Sequence, residues 1–307
     1  MKHWILALSC AMLLAACGAA RSAPPQPGAA GGKLNVVAVE TFLADIAQNV
    51  AGDRLKVIAL LPIGLDVHGF EPAPTDLAEV ASSNVLIISG TGLEDFLDKM
   101  IRNVGGKRLI VEASAGLQPR AMQPGEAPSD HEQGDPHFWL DPVKVITYVQ
   151  NIRDGLSEAD PAGAATYAAN ADAYIKKLND LDGWIKEQVK AIPQQNRMLV
   201  TNHESLGYFA DRYDFAIVGT ILASVSSTAS PSAQELAQLV THIKATGVKA
   251  IFLETGTNPQ LANQIAQDTG VKVVPDLYTH SVSKGGPAPT YIDMMKYNTT
   301  VIVNALR

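Results

Sequence analysis

The chain has 307 residues, a formal net charge of −7 and 47% hydrophobic residues, and no basic cluster with interleaved aromatic residues. This balance argues against nucleic acid as a partner, because surfaces that bind nucleic acid are basic. The length and the hydrophobic content suffice for a large core and predict two domains.

The first 17 residues predict an export signal. Residues 1–17 combine a lysine near the start with an apolar run that is too short to span a membrane. They end in LAAC at residues 14–17, which resembles the bacterial lipobox, in which the cysteine becomes acylated. Alternatively, Cys17 belongs to an ordinary cleavage region, and export follows either way. The only other cysteine, Cys10, lies in the signal, so no disulfide is expected.

A short tether and an N-terminal lobe are predicted next. Residues 18–32 are small, rich in proline and glycine and nearly uncharged, as in flexible linkers. From Lys33 onward, short β-branched runs alternate with helical patterns, which predicts βαβ units and a parallel sheet. The predicted strands are Leu34–Val39, Lys56–Leu61, Val85–Ser89 and Arg108–Val111, and the helices lie near Phe42–Val50, Thr75–Ala81 and Leu93–Asn103. We therefore predict an α/β lobe over residues 33–159.

One long helix is predicted over Asp160–Ile192. Asp160 suits the N-cap and Pro161 the first helical position, and Pro193 ends the pattern. Apolar residues recur at three- and four-residue spacing throughout, which predicts one buried stripe. At about 1.5 Å per residue the helix is roughly 50 Å long, which is enough to join two lobes. Residues 160–192 are therefore predicted to be a linking helix.

The alternation of strands and helices restarts after this helix. The predicted strands are Met198–Thr201, Ala216–Gly219, Ala250–Leu253 and Val271–Val274, and the helices lie around Ser205–Tyr213, Ser232–Thr246, Pro259–Thr269 and Tyr291–Leu306. We predict a second α/β lobe with a parallel sheet over residues 193–307. The predicted fold class is α/β, with two parallel-sheet lobes joined by one long helix.

Four histidines lie in loops at or near predicted strand ends: His68, His137, His203 and His280. Open parallel sheets bind ligands beyond the carboxyl ends of their strands, so two lobes can offer two imidazoles each to a shared cleft. Four imidazole nitrogens satisfy tetrahedral zinc with no open position. A loop histidine taken alone is more often a solvated side chain, and these four show no short-range pattern.

The other histidines are weaker candidates. His3 belongs to the export signal, and His242 lies within a predicted helix, where a partly exposed side chain is expected. His131 lies in a polar loop that is more often solvated than occupied by a cation.

Several segments resemble the substrate-binding proteins of bacterial zinc and manganese ABC importers. They are VHGFEPAPTD at 67–76, DPHFWLDP at 135–142, TNHESLGYF at 201–209 and LYTHSVS at 277–283 followed by GGPAPTYIDMM. The resemblance covers residues 33–307. It implies two α/β lobes joined by one helix, a bound metal ion and no catalysis.

The resemblance places metal ligands at His68, His137 and His203. At the fourth position the family usually has an acidic residue where this chain has His280. We favour His280 as the fourth ligand, and the alternative is water or Asp276. Further carboxylates near the histidines, which can accept the second ring N–H, are Glu71, Asp135, Asp141 and Glu204. For Asp76 a helix-capping role is favoured.

The exchange of an acidic residue for His280 affects which metal ion the site is expected to prefer. Zinc binds imidazole readily and manganese prefers carboxylate oxygen, so four histidines favour Zn²⁺. The GGPAPTYIDMM segment looks more like the manganese-type members, so Mn²⁺ is the alternative. Copper and nickel also bind such nitrogens, and metal supply can decide among them.

The expected function is a binding protein that delivers a metal ion to the permease and ATPase of an ABC importer. It is expected to be a monomer, anchored to the membrane by a lipid at Cys17, on the periplasmic or the extracellular face. A zinc hydrolase needs an open coordination position and a general base, and the chain has no His-Glu-x-x-His helix or nucleophile elbow. An adhesin or structural lipoprotein is a third possibility, which no repeat or exposed apolar stripe supports.

Overall fold

The computed structural model describes residues 34–120 and 134–307. The predicted signal at 1–17 with Cys17, the predicted tether at 18–32 and His131 lie outside these ranges. No helix within the ranges is long and apolar enough to cross a membrane.

Four short parallel strands form the first sheet, each within one residue or so of a predicted β-branched run. They are β1 (Val36–Ala38), β2 (Val57–Ala59), β3 (Val85–Ile88) and β4 (Leu109–Glu112), in the order β2-β1-β3-β4. The helices are α1 (Thr41–Ala51), α2 (Pro74–Ser82) and α3 (Leu97–Val104). α3 begins later than predicted, because the Glu94 carboxylate accepts the backbone N–H groups of Ser89 and Gly90 and holds residues 91–96 in turns.

Two helices follow, and the first of them was not predicted from the sequence. α4 spans Val145–Ala159 and packs against α5, which spans Ala164–Val189. The buried residues of α4 have helical spacing and include Val145, Tyr148, Val149, Ile152 and Leu156. In α5 the predicted stripe is buried from Tyr167 to Val189. Its 26 residues make a rod of about 39 Å at about 1.5 Å each, shorter than predicted.

The prediction of one helix over Asp160–Ile192 was wrong at both ends. Asp160 caps no helical N–H, because its carboxylate accepts the Tyr167 hydroxyl at 2.6 Å and pairs with Arg54. A separate 3-10 turn over Pro161–Gly163 precedes α5. After α5, the N–H groups of Ala191 and Ile192 bond three residues back, so the chain tightens before Pro193.

The second sheet is also parallel and follows α5 in the chain. Its strands are β5 (Met198–Thr201), β6 (Ala216–Thr220), β7 (Ala250–Glu254) and β8 (Lys272–Leu277), in the order β6-β5-β7-β8. Its helices are α6 (Gly207–Tyr213), α7 (Ala233–Thr246), α8 (Gln260–Thr269) and α9 (Tyr291–Leu306). The prediction of two parallel sheets with surrounding helices is confirmed.

The two sheets share one topology. In each sheet the first strand lies in the interior, the second lies at one edge, and the chain then crosses to the other side. A crevice forms at the carboxyl ends of the strands beside this crossover, where open α/β sheets bind their ligands. We therefore expect a ligand site in the loops that follow β2, β5, β7 and β8.

One hydrophobic core joins the first sheet to α5 and to one side of the second sheet. It includes Phe42, Trp139, Tyr174, Phe252 and Tyr291. A smaller cluster lies between the other side of the second sheet and α7 and α8. Because the large core runs through both halves, the lobe boundaries at 33–159, 160–192 and 193–307 stay a prediction.

The segment after β8 is hydrogen-bonded to the first half of the chain. Thr41 Oγ1 accepts the backbone N–H of Val282 at 3.0 Å, and the indole N–H of Trp139 donates to the Thr279 carbonyl at 2.6 Å. The Tyr291 hydroxyl donates to the Trp139 carbonyl, also at 2.6 Å. These bonds are buried and fix the loop between β8 and α9 against the first sheet.

Candidate metal centre

The four histidines singled out from the sequence lie together in the structure. His68 lies in a 3-10 turn (Val67–Gly69) after β2, and His137 lies directly before a second turn. His203 follows β5 and His280 follows β8. One ring nitrogen from each of the four lies within 4.8 Å of the others. Side chains that are as much as 212 positions apart in the sequence, from His68 to His280, therefore converge on one point.

The spacing of the ring nitrogens suits a tetrahedral ion. His137 Nε2 lies 3.4 Å from His68 Nε2 and 3.3 Å from His280 Nε2. Zinc binds imidazole nitrogen at about 2.0–2.1 Å, so two nitrogens of a tetrahedral shell lie about 3.3–3.4 Å apart. The rings of His203 and His280 are stacked at 5.1 Å between centroids. No carboxylate of the described residues belongs to this group of ligand atoms.

Three of the four imidazoles are buried. His137, His203 and His280 are buried, whereas His68 is half-buried. The Asp66 carboxylate accepts the backbone N–H of His68 at 3.0 Å and so caps the turn that carries this ring. Burial alone raises the pKa of Asp66, but the charges of His280 and His68 outweigh burial and lower it to about 2. The Asp66 side chain is therefore an anion at neutral pH.

Asp135 orients the ring of His137. Its Oδ1 atom lies 2.9 Å from His137 Nδ1 and accepts the backbone N–H of His137 at 2.9 Å. Its carbonyl oxygen accepts the Tyr208 hydroxyl at 2.7 Å, which fixes the loop. A carboxylate on one ring nitrogen keeps the proton there and leaves the other nitrogen free to bind a metal.

Glu254 pairs with the ring of His203 and lies near that of His280, and it was not predicted from the sequence. Its Oε2 atom lies 2.9 Å from His203 Nδ1 and 3.8 Å from His280 Nδ1, and its Oε1 atom accepts the Ser205 hydroxyl at 2.6 Å. Glu254 is the last residue of the buried strand β7. The rule about strand ends that singled out the histidines applies to it equally.

The charges of this group follow from burial and contact. Burial raises the pKa of Glu254, but the charge of His203 and a hydrogen bond from it outweigh burial and lower that pKa. Burial likewise lowers the pKa of His203, and Glu254 outweighs it and raises that pKa. For His280 burial prevails, so its pKa is lowered. Thr279 Oγ1 lies 3.0 Å from His280 Nδ1 and gives that nitrogen a further partner.

Three of the predicted outer carboxylates do not contact the imidazoles. Glu71 is exposed, and Asp276 is exposed in β8 with a positive φ of 69°, so it does not complete the shell. Asp141 accepts the backbone N–H of Val143 at 2.9 Å and therefore stabilises the turn before α4. Glu204 is buried and lines a pocket beside α7, and Glu254 contacts the ring of His203.

Other residues considered in the sequence lie outside the group of ligand atoms. Asp76 caps α2, where its carboxylate accepts the backbone N–H of Ala73 at 2.8 Å. His242 is exposed in α7. Phe138 and Trp139 are buried, and Trp139 stacks on Phe42 with a centroid distance of 4.4 Å, so both aromatic side chains pack in the core.

A buried carboxyl pair lies in the first lobe, at the end of β1. Glu40 is fully buried and faces Glu94. Burial, reinforced by the charge of Glu94, raises the pKa of Glu40 well above its ordinary value. Burial also raises the pKa of Glu94 to about 7. At neutral pH the pair therefore holds at least one proton, which an unfolded chain would release.

We expect the free energy of unfolding of the metal-free protein to fall as the pH rises through about 7. A group whose pKa is raised by folding stabilises fully below its unfolded pKa and loses that contribution as the pH rises through its folded pKa. Glu40→Gln keeps a hydrogen-bond donor but cannot ionise, so the fall should be smaller. Urea denaturation between about pH 6 and pH 9 measures it. The exposed Glu158→Gln is the control, and an equal fall in all three proteins would contradict the expectation.

The sequence matches the profile of one protein family over residues 36–305, a family described as the periplasmic component A of the zinc-uptake complex. A manganese-binding lipoprotein, MntA, from Halalkalibacterium halodurans is 34% identical over 297 residues, which are 96% of this chain and 95% of the relative. A metal ABC transporter substrate-binding lipoprotein, ScbA, from Streptococcus cristatus is 30% identical over 99% of this chain and 98% of its own length.

The fold has a counterpart among solved structures. The periplasmic zinc-binding protein TroA from Treponema pallidum superposes with a TM-score of 0.82 at 24% sequence identity. The alignment covers 90% of this chain and 99% of that one. At this level of identity the match shows the shared fold, with its two parallel sheets.

Proposed function

The chain belongs to the family of the periplasmic component A of the zinc-uptake complex, and from this premise we propose that it captures one divalent transition-metal ion and delivers it to an ABC importer. The resemblance inferred from its motifs is confirmed. The ion is the cargo of the protein, and the proposal includes no catalytic step. His68, His137, His203 and His280 are the proposed ligands.

One observation carries this proposal, namely the convergence of four imidazoles, two pairs of which lie at tetrahedral spacing. Nitrogen lone pairs crowded within 4.8 Å repel one another unless a proton or a cation lies between them. Burial lowers the pKa of His280 and so favours its neutral imidazole, which is the form that binds a metal. The acidic partners Asp135 and Glu254 offset the charge of a buried dication.

Zinc is the proposed cargo, and manganese is the alternative. The set of ligand atoms contains four nitrogens and no carboxylate oxygen, a combination that suits zinc better than manganese. The name of the family refers to zinc, whereas one relative is named for manganese. Four nitrogen ligands leave no coordination position for an activated water, so hydrolysis is not proposed.

The proposed location and partners follow from the relatives. Both curated relatives are named lipoproteins, and one is named as the substrate-binding part of a metal ABC transporter. We propose that this chain is likewise exported, acylated at Cys17 and held at the membrane. It acts there with a permease and an ATPase. A monomer is the proposed oligomeric state.

Competition between two metals tests the proposed function. The purified full-length protein is stripped with a chelator, dialysed against equal zinc and manganese and analysed for bound metal. We expect one zinc per chain, and a weaker affinity in His280→Ala, which loses one of four ligands. The exposed His242→Ala is the matched control and should bind as the unaltered protein does.

Each other outcome of that experiment has a distinct meaning. One manganese per chain would overturn the proposal for zinc and leave the transport function intact. Binding that His280→Ala does not weaken would assign the fourth ligand elsewhere. No bound metal in the unaltered protein would refute the transport function.

A further inference from the structure

A cavity of about 460 Å³ lies beside the four histidines. Its wall is formed by the turn that carries His68 and by the loops that follow β5, β6 and β7. The polar residues that line it are Asp66, Asn202, Ser227, Thr255, Thr257 and Asn258. We call this cavity the antechamber.

The antechamber directly adjoins the residues that hold the site. Asn202 precedes His203, Thr255 follows Glu254, and Asp66 caps the turn of His68. His68 is also the only one of the four histidines that is not buried. Solvent therefore reaches His68 more readily than the other three, and a residue of the cavity wall caps the turn that carries it.

Its size and lining suit a hydrated cation. Six waters of about 30 Å³ each occupy about 180 Å³, so an ion with a complete first shell fits within the cavity. Hydroxyl and amide groups on the wall can accept hydrogen bonds from these waters. Divalent ions exchange such waters for protein ligands one at a time. A cavity that holds the hydrated ion near the imidazoles therefore speeds this exchange.

Asp66 is the only charged residue among the described residues that line the antechamber. Its carboxylate accepts the backbone N–H of His68 at 3.0 Å, so it lies close to the cluster as well as at the cavity wall. It does not belong to the compact group of ligand atoms. Asp66 therefore lies just outside the proposed coordination shell.

We propose that Asp66 holds a hydrated divalent cation in the antechamber and transfers it to His68, from which the other imidazoles complete the shell. The inference rests on the proposed function and adds a second, transient site for the same ion. Asp66 thereby governs the rate of capture more than the final affinity. A lone carboxylate in a cleft raises the local cation concentration and the association rate, and salt weakens both effects.

Stopped-flow binding of zinc to the full-length protein tests this inference. Trp139 reports occupancy, because its ring lies 5.1 Å from His137 and 5.9 Å from His280. Asp66→Asn keeps the side-chain oxygen that caps the turn and removes only the charge. We expect it to slow association about tenfold at low salt, with dissociation changed less than about twofold, and we expect salt to reduce the difference.

Two matched variants separate the role of the charge from damage to the turn. Asp276→Asn removes an exposed charge from β8, outside the antechamber, and should leave the association rate unchanged. Thr257→Lys adds a cation to the lining of the antechamber, in the loop after β7 and outside the His68 turn, and should slow association, whereas Thr257→Gln should not.

The failures of the two proposals are distinguishable. If the unaltered protein binds zinc and Asp66→Asn associates at the same rate, or differs only in dissociation, the antechamber is not used and the proposed function stands. Equal slowing by Asp66→Asn and Asp276→Asn would also overturn the inference, because it would show a general effect of net charge. If the unaltered protein binds neither zinc nor manganese, the proposed function fails and the antechamber with it.

Discussion

Replacing His137 with alanine is expected to lower the affinity for zinc more than any change outside the cluster. His137 Nε2 lies 3.4 Å and 3.3 Å from the Nε2 atoms of His68 and His280, so it is the shared neighbour of both. Zinc sites with four ligands bind with about 10–16 kcal/mol, so the loss of one ligand removes about 3–4 kcal/mol, or about 100- to 1,000-fold in affinity. Competition against a chelator of known affinity measures the loss.

The control for this variant is again His242→Ala, which removes an exposed imidazole. Its zinc affinity should equal that of the unaltered protein. If His137→Ala retained the affinity within about threefold, the nitrogens that converge in the structure would not be the ligands. Circular dichroism of the metal-free protein confirms that the variant is folded, because His137 also contacts Asp135 and Trp139.

Replacing Trp139 with alanine is expected to be the most destabilising single change among those considered. Trp139 is fully buried, stacks on Phe42 and donates its indole N–H to the Thr279 carbonyl. Substitution of a buried tryptophan by alanine removes about 3–5 kcal/mol through lost burial and the cavity left behind. Urea denaturation of the metal-free protein measures the difference in the free energy of unfolding.

Two variants show which part of Trp139 matters. Trp139→Phe keeps a ring against Phe42 but leaves the Thr279 carbonyl without its donor, so its loss should be smaller, about 1–3 kcal/mol. Trp184→Ala removes a half-buried tryptophan from α5 and is expected to destabilise less. Equal losses at both tryptophans would contradict the assignment of Trp139 to the shared core.

The strands were predictable because their signal is local, and the grouping of the four histidines was predictable from their place in loops at or near strand ends. A buried parallel strand is a short β-branched run, and the site lies where such runs end. α4 was predictable in principle from its helical spacing of Val145, Tyr148, Val149 and Ile152, but it was not identified. The helix cap at Asp160 was wrong because Arg54, more than 100 positions away, takes its carboxylate.

The carboxylates that contact the four histidines could be predicted only in part from the sequence. Closeness in the chain was a good guide for Asp135, because the rigid Asp-Pro-His segment turns the carboxylate back to the ring of His137. It was a poor guide for Glu71, which is exposed, and for Asp141, which stabilises the turn before α4. Glu254 lies 51 positions after His203 and meets it only because β5 and β7 pair in the second sheet.

The hydrogen bonds between the first lobe and the loop after β8 also constrain the order of folding. Thr41 and Val282 are 241 positions apart, and His280 lies in the loop that this contact fixes. Contacts between such distant positions form late, because a long loop must be closed before they contribute. A chain that is still being synthesised or translocated therefore carries three of the four histidines without the last one. We expect it to gain full affinity for the ion only when its C-terminal segment has docked, so that a truncated or partly translocated chain holds metal weakly.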